Sequence, residues 1–429
     1  MKRWWTDMFS RPEMKRILRL TDVDTALDLA INSFGLDLTV EDVNVEHAVG
    51  RILADSIVSN KDYPEFDQAF YDGYAIRSVD TDHVESGLPV RLKIVGRMDT
   101  NDKPEKIILK SGEAVFTVSG APLPLGADAV VRLEEAEVDN DYVIIKRRVN
   151  AGETVVMKGH DFKRDDVILS KGTLLRPQDI GLVMELGITR LKVYRKIRTG
   201  IMSVGSDLLE RANNGVPYPD NYSQIVKHYL KLFGFDVQHY GIVSDDRGEI
   251  RERILKAVGE NDAVLVVGGV SISSNDLVPD VVNEIGTIVF HGHRISPGKV
   301  SGLAIVNKKP VFMIPGHVGS TVAALFLIVV PTLFYKLTGV RDPYVKVKAR
   351  LIGDVETKPG SYAFRTVSLK YVNGEYEAKP IYKQLGGSPF LTLLVEANGF
   401  IIVRPKDKLF VGDTVEVRMF SPIEALRIY

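Results

Sequence analysis

The feature that most constrains the fold is a regular alternation of apolar strands and amphipathic helices between residues 196 and 340. Segments such as AVLVV (263–267) are apolar throughout, whereas a strand with one face in water alternates apolar and polar residues. Apolar strands separated by helices are typical of a parallel sheet that is covered by helices on both faces. The sequence therefore predicts a Rossmann-like three-layer α/β/α domain over 191–340, with a ligand site beyond the carboxyl ends of its strands.

The predicted elements of this domain change type in a regular order. They are strand 198–205, helix 224–233, strand 235–243, helix 247–258, strand 262–269, helix 276–285, strands 287–292 and 310–316, and helix 319–337. The last helix contains the longest apolar run, VAALFLIVVPTLFY, which is shorter than the roughly 20 residues of a membrane span. We interpret this run as a buried helix.

On either side of this domain, the sequence has the short alternating runs that are typical of small β domains. Short alternating runs such as VRLKIVGRM (90–98) predict an inserted β-rich lobe over 51–149, and runs such as DTVEVRMF (413–420) predict a small C-terminal β-barrel over 341–429. Residues 1–50 and 150–190 together are expected to form an N-terminal helix and β linker domain. The predicted fold class is thus α/β multidomain, with a central α/β domain and mostly β accessory domains.

Charge and cysteine content exclude several classes of function. The chain has 55 Lys and Arg residues against 56 Asp and Glu, so no global field steers it towards nucleic acid. It has no cysteine, which rules out disulfides, thiolate ligands and a cysteine nucleophile. Without an export signal near its start, we expect a cytoplasmic protein that has neither nucleic acid nor membrane as a partner.

Glycine and polar residues follow the predicted strands at positions that would meet at one edge of the sheet. Glycines allow backbone N–H groups to approach an anion, and helix N-termini add a positive dipole end. A single loop of this kind is often only a tight turn, and none fits G-x-G-x-x-G or a P-loop, but four together favour a phosphate site. The predicted substrate-binding residues are Gly205, Ser206, Gly268, Gly269, Ser271, Ser273, Pro297, Gly298, Lys299, Pro315, Gly316, His317 and Ser320.

Three aspartates, Asp207, Asp220 and Asp276, fall in loops of the same predicted sheet. Carboxylates beside phosphate-binding amides suit Mg²⁺, which prefers oxygen ligands and bridges carboxylates to substrate phosphates. The alternative role is helix capping, which Asp276 would satisfy at the start of its helix. Lys299, after Pro297-Gly298, would pair with a phosphate or oxyanion as a point charge, and the alternative is a solvated lysine.

The lobe contains two further motifs. EFDQAFYDGYAIRS (65–78) places two acids among aromatic residues, and SGAPLPLGADAVV (119–131) reads as a rigid loop that leads into a strand. Taken alone, the alternatives are two solvated aspartates around Gly73 and, for the second motif, a stiff hairpin. Taken within the whole chain, we interpret Asp67 as the functional acid that faces a cleft and Asp72 as a local constraint on the turn beside Gly73.

Taken in order, six motifs resemble one family. They are PEFDQAFYDGYAIRS, VSGAPLPLGADAVVRLEE, VMKGHDFKRDDVILSKGTLL, VLVVGGVSISSNDL, SPGK and MIPGHVGSTVAAL. This series resembles the MoeA-type molybdopterin molybdenumtransferases, which are related to the E domain of gephyrin, over nearly the whole chain. The resemblance implies four domains with a molybdopterin-binding α/β domain, and a homodimer whose site lies between the α/β domain of one subunit and the lobe of the other. It implies insertion of molybdate or tungstate into adenylylated molybdopterin with release of AMP, assisted by Mg²⁺, downstream of a molybdopterin adenylyltransferase.

The resemblance also assigns residues. Asp67 and Ser119 match positions that the family uses in the lobe, and Asp207, Asp220 and Asp276 match its acidic positions in the α/β domain. We take the four aspartates as candidate catalytic residues, with Asp220 and Asp276 as metal ligands.

Several motifs depart from the family pattern. VGSDL stands for T-G-D-E-L, Ser273 replaces a glycine, PGHVGS stands for P-G-N-P-V-S, and DQAFYDGYA stands for D-N-S-A-M-D-G-Y-A. These changes leave open a preference for tungstate, and also a molybdopterin-binding or scaffold homologue with reduced activity. A third possibility, an α/β domain that acts on other nucleotides, leaves the lobe motif unexplained.

Overall fold

The structure is a computed structural model of the chain, and it describes residues 20–86, 88–273, 276–355, 357, 360–381, 391–405, 407–422, 424 and 428. The chain divides into two compact units. The large unit comprises the chain up to Glu41, Gly50–Ile52 and Val193–Tyr429, and the small unit comprises Asp42–Val49 and Leu53–Lys192. The four-domain division that the sequence predicts stays a prediction.

The helices and strands are numbered separately in chain order. The helices are α1 (Val23–Asn32), α2 (Pro177–Glu185), α3 (Ser206–Asn213), α4 (Asn221–Leu232), α5 (Arg247–Glu260), α6 (Val278–Ile285), α7 (Val318–Ala324), α8 (Val330–Thr338) and α9 (Leu391–Glu396). The strands are β1 (Val40–Asn44), β2 (Ile57–Val58), β3 (Gln68–Ala69), β4 (Gly73–Ile76), β5 (Val90–Met98), β6 (Glu113–Thr117), β7 (Ala129–Arg132), β8 (Glu137–Asp139), β9 (Tyr142–Ile145), β10 (Val155–Val156), β11 (Val167–Leu169), β12 (Arg190–Tyr194), β13 (Arg198–Val204), β14 (Asp236–Val243), β15 (Ala263–Val267), β16 (Thr287–His291), β17 (Ile295–Ser296), β18 (Gly302–Val306), β19 (Lys309–Ile314), β20 (Lys346–Leu351), β21 (Tyr362–Val372), β22 (Glu375–Pro380), β23 (Gly399–Val403) and β24 (Thr414–Met419).

The small unit is built on a six-stranded sheet in the order β7-β4-β6-β5-β9-β8. Its central strand β4 begins at Gly73, where a Cβ atom would lie 2.0 Å from the carbonyl oxygen of Val131 on β7. A side chain at this position is therefore excluded, and the DGYA motif depends on its glycine. Apolar residues of the lobe motif, Tyr74 and Ile76, are buried in the core on one face of this sheet.

The large unit contains a central sheet in the order β14-β13-β15-β19-β18-β16. Its first four strands are parallel, whereas β18 is antiparallel to both β19 and β16. Strand β18 was not predicted from the sequence; it forms a tight hairpin with β19 through Asn307 and Lys308, both of which have positive φ. Helix α3 was also not predicted; it is only eight residues long and buries none of its residues.

Helices cover both faces of the central sheet because its strands are apolar on both sides. Leu265 and Val267 on β15 pack into a cluster with residues of α4, α7 and α8, while Val264 and Val266 pack into a second cluster with residues of α5 and α6. Alternate residues of one strand thus belong to opposite layers. The predicted Rossmann-like three-layer fold class is confirmed.

The predicted helix 319–337 corresponds to α7 and α8, joined by a π-helical turn at Leu325–Val329. This turn ends two residues before Pro331. Proline lacks the backbone N–H that a regular α-helix uses, so the hydrogen-bond pattern changes here. The whole run, Val318–Thr338, is long and apolar enough to cross a membrane, but it is mostly buried inside the fold, as the core helix of a protein can be. It is a buried helix, as predicted.

The C-terminal part of the large unit is a closed five-stranded barrel in which β21 pairs with β22 and β23, and the ring runs β21-β22-β20-β24-β23. The predicted small β-barrel is confirmed. The short strand β17 lies in the loop that follows β16, and its residues Ile295 and Ser296 pair with β21. This pairing attaches a loop of the α/β domain to the barrel.

Candidate functional site

Five loops begin at one edge of the central sheet. Strands β13, β14, β15 and β19 are parallel, and β16 runs the same way because it and β19 are both antiparallel to β18. The loops that follow these strands include the four that were predicted from their glycines. The fifth loop, after β14, contains Ser244 and Asp245 and was not predicted. Parallel strands thus bring these residues to the edge at which ligands of such sheets bind.

Gly268 and Gly269 allow two of these loops to approach each other. Both have positive φ, 88° and 64°. A Cβ atom at Gly268 would lie 2.4 Å from the carbonyl oxygen of Val204, and one at Gly269 would lie 2.9 Å from Cγ1 of Val204. A Cβ atom at Gly316 would lie 3.4 Å from the Cα atom of Gly268. The loops after β13, β15 and β19 are therefore packed closely enough to require glycine at Gly268.

A buried histidine contacts the loop Ser296–Lys299 and fixes its backbone. His293 is completely buried, its Nε2 atom lies 2.9 Å from the carbonyl oxygen of Gly298, and Ser301 Oγ lies 2.8 Å from the same Nε2. Burial lowers the pKa of His293 to about 4, so the ring is neutral at physiological pH. In the loop that His293 contacts, Gly298 has a φ of 109° and the side chain of Lys299 is exposed. Lys299 is thus presented on a rigid turn.

The barrel holds the same loop from the side. Nη1 of Arg365 donates a hydrogen bond of 3.0 Å to the carbonyl oxygen of Ser296, and the β17–β21 pairing continues to Ala363. The barrel therefore contributes to the shape of the predicted oxyanion loop.

Asp220 is the most enclosed of the candidate acids. It is 8% exposed and is the N-cap residue of α4, with Oδ1 accepting from the backbone N–H of Ser223 at 3.1 Å. Its Oδ2 accepts from Ser203 Oγ at 2.6 Å and from Ser223 Oγ, and lies 3.5 Å from Nε2 of His239. Burial raises the pKa of Asp220, but the nearby ring of His239 and the hydrogen bonds from Ser203 and Ser223 outweigh burial and hold the pKa below its usual range.

The other two acids of this edge are more open. Asp207 is exposed in the first turn of α3, and the preceding Ser206 is fixed by Asp245, whose Oδ2 accepts from the Ser206 N–H at 2.8 Å. Asp276 is half-buried, and its backbone N–H donates to the carbonyl oxygen of Ser273 at 3.1 Å. Because α6 begins two residues later with Leu277 as its N-cap, the capping role belongs to Asp220 and not to Asp276.

No group of three or more His, Cys, Asp or Glu residues that could hold a metal ion occurs within the described part of the chain. A cation at this edge would therefore need the ligand's own oxygens in addition to carboxylates from the protein.

The loop after β19 leads directly into α7. His317 is the exposed N-cap residue, and its side chain makes no capping hydrogen bond. Instead, Thr321 Oγ1 donates to the carbonyl oxygen of Pro315 at 2.6 Å and ties the loop to the first turn of the helix. Ser320 follows in that first turn, near the Gly298 loop: a Cβ atom at Gly298 would lie 3.6 Å from the Ser320 carbonyl oxygen.

In the small unit, the two lobe motifs meet at Ser119. Its backbone N–H donates to Asp72 Oδ1 at 2.7 Å, and its hydroxyl donates to the carbonyl oxygen of Phe70 at 2.8 Å. Asp67 Oδ1 accepts from the backbone N–H of Lys158 at 2.7 Å, so the motif VMKGHDFKRDDVILSKGTLL also reaches the first lobe motif. The side chains of Phe70 and Tyr71 are exposed beside these acids.

Sequence reasoning missed the groups that support these candidates, namely Ser203, Ser223, His239, Asp245 and His293. A serine or histidine within a strand or helix carries no local signal, since its partner is distant in sequence and is found only in the folded chain.

Three family models match consecutive parts of the chain. The "MoeA N-terminal region (domain I and II)" matches residues 21–187, the "Probable molybdopterin binding domain" matches 200–335, and the "MoeA C-terminal region (domain IV)" matches 348–420. The resemblance that the six motifs indicated is therefore confirmed.

Individual proteins show the same similarity. A "Putative molybdopterin biosynthesis protein" of Methanocaldococcus jannaschii is 30% identical over 376 residues, which cover 85% of this chain and 88% of that protein. A molybdopterin molybdenumtransferase of Haemophilus influenzae is 26% identical over 415 residues, covering 93% and 98% of the two chains. The crystal structure of a molybdopterin biosynthesis MoeA protein from Pyrococcus horikoshii has a TM-score of 0.80 and 31% identity, and covers 94% of this chain and all of its own.

Proposed function

This chain belongs to the MoeA family of molybdopterin molybdenumtransferases, enzymes of molybdenum cofactor biosynthesis, and we propose that it inserts molybdate or tungstate into adenylylated molybdopterin with release of AMP. One observation supports this proposal most strongly. Glycine loops, Lys299 and the acids Asp207, Asp220 and Asp276 belong to one edge of the central sheet. A substrate that carries a pyrophosphate and an oxyanion needs this combination of groups.

The proposed reaction breaks the phosphoanhydride between the pterin phosphate and AMP. Water adds to one phosphorus, the bridging oxygen leaves with the other phosphate, and molybdopterin and AMP result. Backbone N–H groups of Gly269 and Gly316 bind the phosphate oxygens, and charge that develops on the bridging oxygen is stabilised by these dipoles. Lys299 pairs with the oxyanion that is delivered to the dithiolene, with Pro297 and Gly298 fixing its position.

We propose that Mg²⁺ assists, held by the substrate's phosphate oxygens together with protein carboxylates. Asp207, which is exposed, and Asp276, which is half-buried, fit an oxygen-preferring ion, since each brings a carboxylate to the edge where the phosphates bind. Asp220 fits less well, because its oxygens already accept hydrogen bonds from Ser203 and Ser223. When bound, the ion would neutralise part of the negative charge of the phosphates.

In the lobe, we propose that Asp67 and Ser119 contribute to the reaction as their family positions imply. We further propose that the protein is a cytoplasmic homodimer that receives its substrate from a molybdopterin adenylyltransferase and uses neither nucleic acid nor a membrane. The balanced charge of 55 basic against 56 acidic residues supports the absence of a nucleic-acid partner.

The test is a turnover assay with the purified full chain, adenylylated molybdopterin, Mg²⁺ and either molybdate or tungstate. AMP is measured by chromatography, and metal on the pterin by mass spectrometry. We expect equal amounts of AMP and metal-loaded product, and loss of most AMP release when Asp276 is changed to Asn. Release of AMP without metal insertion would contradict the proposal, and tight pterin binding without any release would identify a scaffold homologue.

A further inference from the structure

A chain of polar side chains runs from β14 to the first turn of α4. His239 on β14 places Nε2 at 2.8 Å from Ser223 Oγ, and Ser223 Oγ contacts Asp220 Oδ2. Ser203 on β13 contacts the same Oδ2 at 2.6 Å. Ser203 and Ser223 are completely buried, and Asp220 is nearly so. Three elements of the carboxyl edge are thus joined through one carboxylate.

The direction of these hydrogen bonds follows from the backbone. The N–H of Gly241 lies 3.0 Å from Nδ1 of His239, so Nδ1 is an acceptor and carries no proton. The ring hydrogen of the neutral imidazole is then on Nε2, from which it donates to Ser223 Oγ. Because that oxygen accepts from His239, its own hydrogen is directed to Asp220. The result is a relay, His239 to Ser223 to Asp220, in which every donor has one acceptor.

The same relay leaves Asp220 little capacity for a cation. A carboxylate has about four acceptor sites. At Asp220, Oδ2 accepts from two hydroxyls and Oδ1 from a backbone N–H, and His239 approaches the remaining side of Oδ2 at 3.5 Å. An Mg²⁺ ligand keeps a lone pair free and is accessible to a hydrated ion. Asp207, by contrast, is exposed at the same edge.

We propose that His239 is a positioning residue of the transferase: through Ser223 it fixes Asp220, and Asp220 orients the first turn of α4 at the sheet edge instead of binding a cation. This inference rests on the proposed function, since the edge that is oriented is the proposed phosphate site. Ser203 connects this turn to β13, which ends directly before Gly205 and Ser206. Loss of the relay is therefore expected to misplace the loop after β13.

The kinetic test compares three histidine variants. His239→Leu removes both hydrogen bonds of the ring, whereas His239→Gln keeps a donor for Ser223. His228→Gln is the matched control, since His228 is exposed on α4 itself. We expect kcat to fall roughly tenfold in His239→Leu, the effect of losing one hydrogen bond to a charged network. We expect His239→Gln to regain most of this loss and His228→Gln to match wild type.

The cation test uses Mn²⁺ in place of Mg²⁺. Asn is a good N-cap, so Asp220→Asn keeps the helix start and removes the charge. A positioning role predicts that the Mn²⁺ concentration for half-maximal AMP release is the same in this variant as in wild type, while kcat falls. A large rise in that concentration, with kcat restored at saturating Mn²⁺, would show that Asp220 is a ligand and would overturn the inference.

A third measurement does not depend on turnover. With ¹⁵N-labelled histidine, NMR reports which nitrogen of each of the eight histidines carries a proton. We expect the Nε2–H form for His239 in wild type, and a shifted Nε2 resonance in Ser223→Ala. An Nδ1–H form would overturn the relay. If wild type shows no turnover at all, the proposed function fails and the positioning role fails with it, whereas this measurement still decides whether the relay exists.

Discussion

The carboxylate of Asp72 lies 2.7 Å from the backbone nitrogen of Ser119 and so joins two motifs that are 47 residues apart in the sequence. Asp67, five residues earlier, accepts from the backbone N–H of Lys158 through Oδ1. Each acid therefore holds one backbone N–H through Oδ1, and their contacts are alike. It is the place of Asp67 in the family motif that makes it the proposed functional acid.

Asparagine substitutions separate these roles. Asn at either position still accepts the backbone N–H bond, so only the negative charge is lost. We expect Asp67→Asn to lower AMP release at least about tenfold, the cost of losing one charged partner, and Asp72→Asn to stay within about twofold of wild type. The measurement is steady-state AMP release with both variants at matched protein concentration. Equal effects of the two substitutions would show that Asp67 has no special role.

The glycine pair after β15 provides a stability prediction. Gly268→Ala places a methyl group 2.4 Å from the Val204 carbonyl oxygen, whereas Gly234→Ala has a similar positive φ of 86° and nothing within 4 Å. We expect the free energy of unfolding to fall by about 1 kcal/mol in Gly234→Ala from φ alone, and by ~3 kcal/mol in Gly268→Ala, where backbone must also move. Urea unfolding followed by circular dichroism measures both.

The same pair should separate stability from binding. If Gly268 shapes a phosphate site, Gly268→Ala also weakens AMP binding in calorimetry, while Gly234→Ala does not. Equal stability losses in the two variants would mean that the close approach to Val204 relaxes without cost.

His293 predicts how stability depends on pH. Burial lowers the pKa of His293 from 6.5 to about 4, so between these values the unfolded chain binds a proton that the folded chain does not. The stabilising contribution is therefore complete above about pH 6.5 and is lost as the pH falls towards about 4. Relative to His293→Gln, which does not titrate, wild type should lose about 3 kcal/mol of unfolding free energy over this range.

Denaturant unfolding of wild type and His293→Gln at several pH values between 7 and 4.5 measures this difference. Groups that titrate in both proteins cancel. A constant gap between wild type and His293→Gln would contradict the prediction.

Much of the fold could be predicted because its elements have a strong local signal. AVLVV is apolar on both faces, and this pattern correctly predicted β15 and its place in a covered sheet. Strand β18 was missed although GLAIV is an equally short apolar run, because no glycine marks its turn: Asn307 and Lys308 supply the positive φ that glycine usually provides.

The candidate site, like the fold, could be predicted only in part. Glycine loops and acids after strands are visible in the sequence, and the parallel strand order brings them to one edge. Their supports are not visible: His239 reaches Asp220 only because β14 lies beside β13, and His293 reaches Gly298 only because the segment folds back over it. Capping was considered as the alternative role of Asp276, but α6 has Leu277 as its N-cap. The acid that caps a helix is Asp220, which was not predicted to do so because α4 begins earlier than its apolar pattern indicates.

Lys299 provides the last prediction, on anion binding. It is exposed, and the Gly298 turn that carries it is fixed by His293 and Ser301. Removing the ammonium group in Lys299→Ala takes away one charge without disturbing that support. We expect the KM for molybdate to rise about tenfold, the value of one charged contact with an oxyanion, and the dependence of KM on salt to weaken.

Two variants make this result specific to charge at the Gly298 turn. Lys299→Arg keeps the charge and should recover part of the loss, since a guanidinium has a different shape from an ammonium group. Lys256→Ala removes an equally exposed lysine from α5 and should leave KM unchanged. If Lys299→Ala and Lys256→Ala raise KM equally, the cause is the net charge of the protein and not a contact with the oxyanion. Lys299 is then a solvated lysine, which was the alternative considered in the sequence analysis. An unchanged KM in all three variants leads to the same conclusion, because a residue that contacts the oxyanion cannot lose its charge without effect.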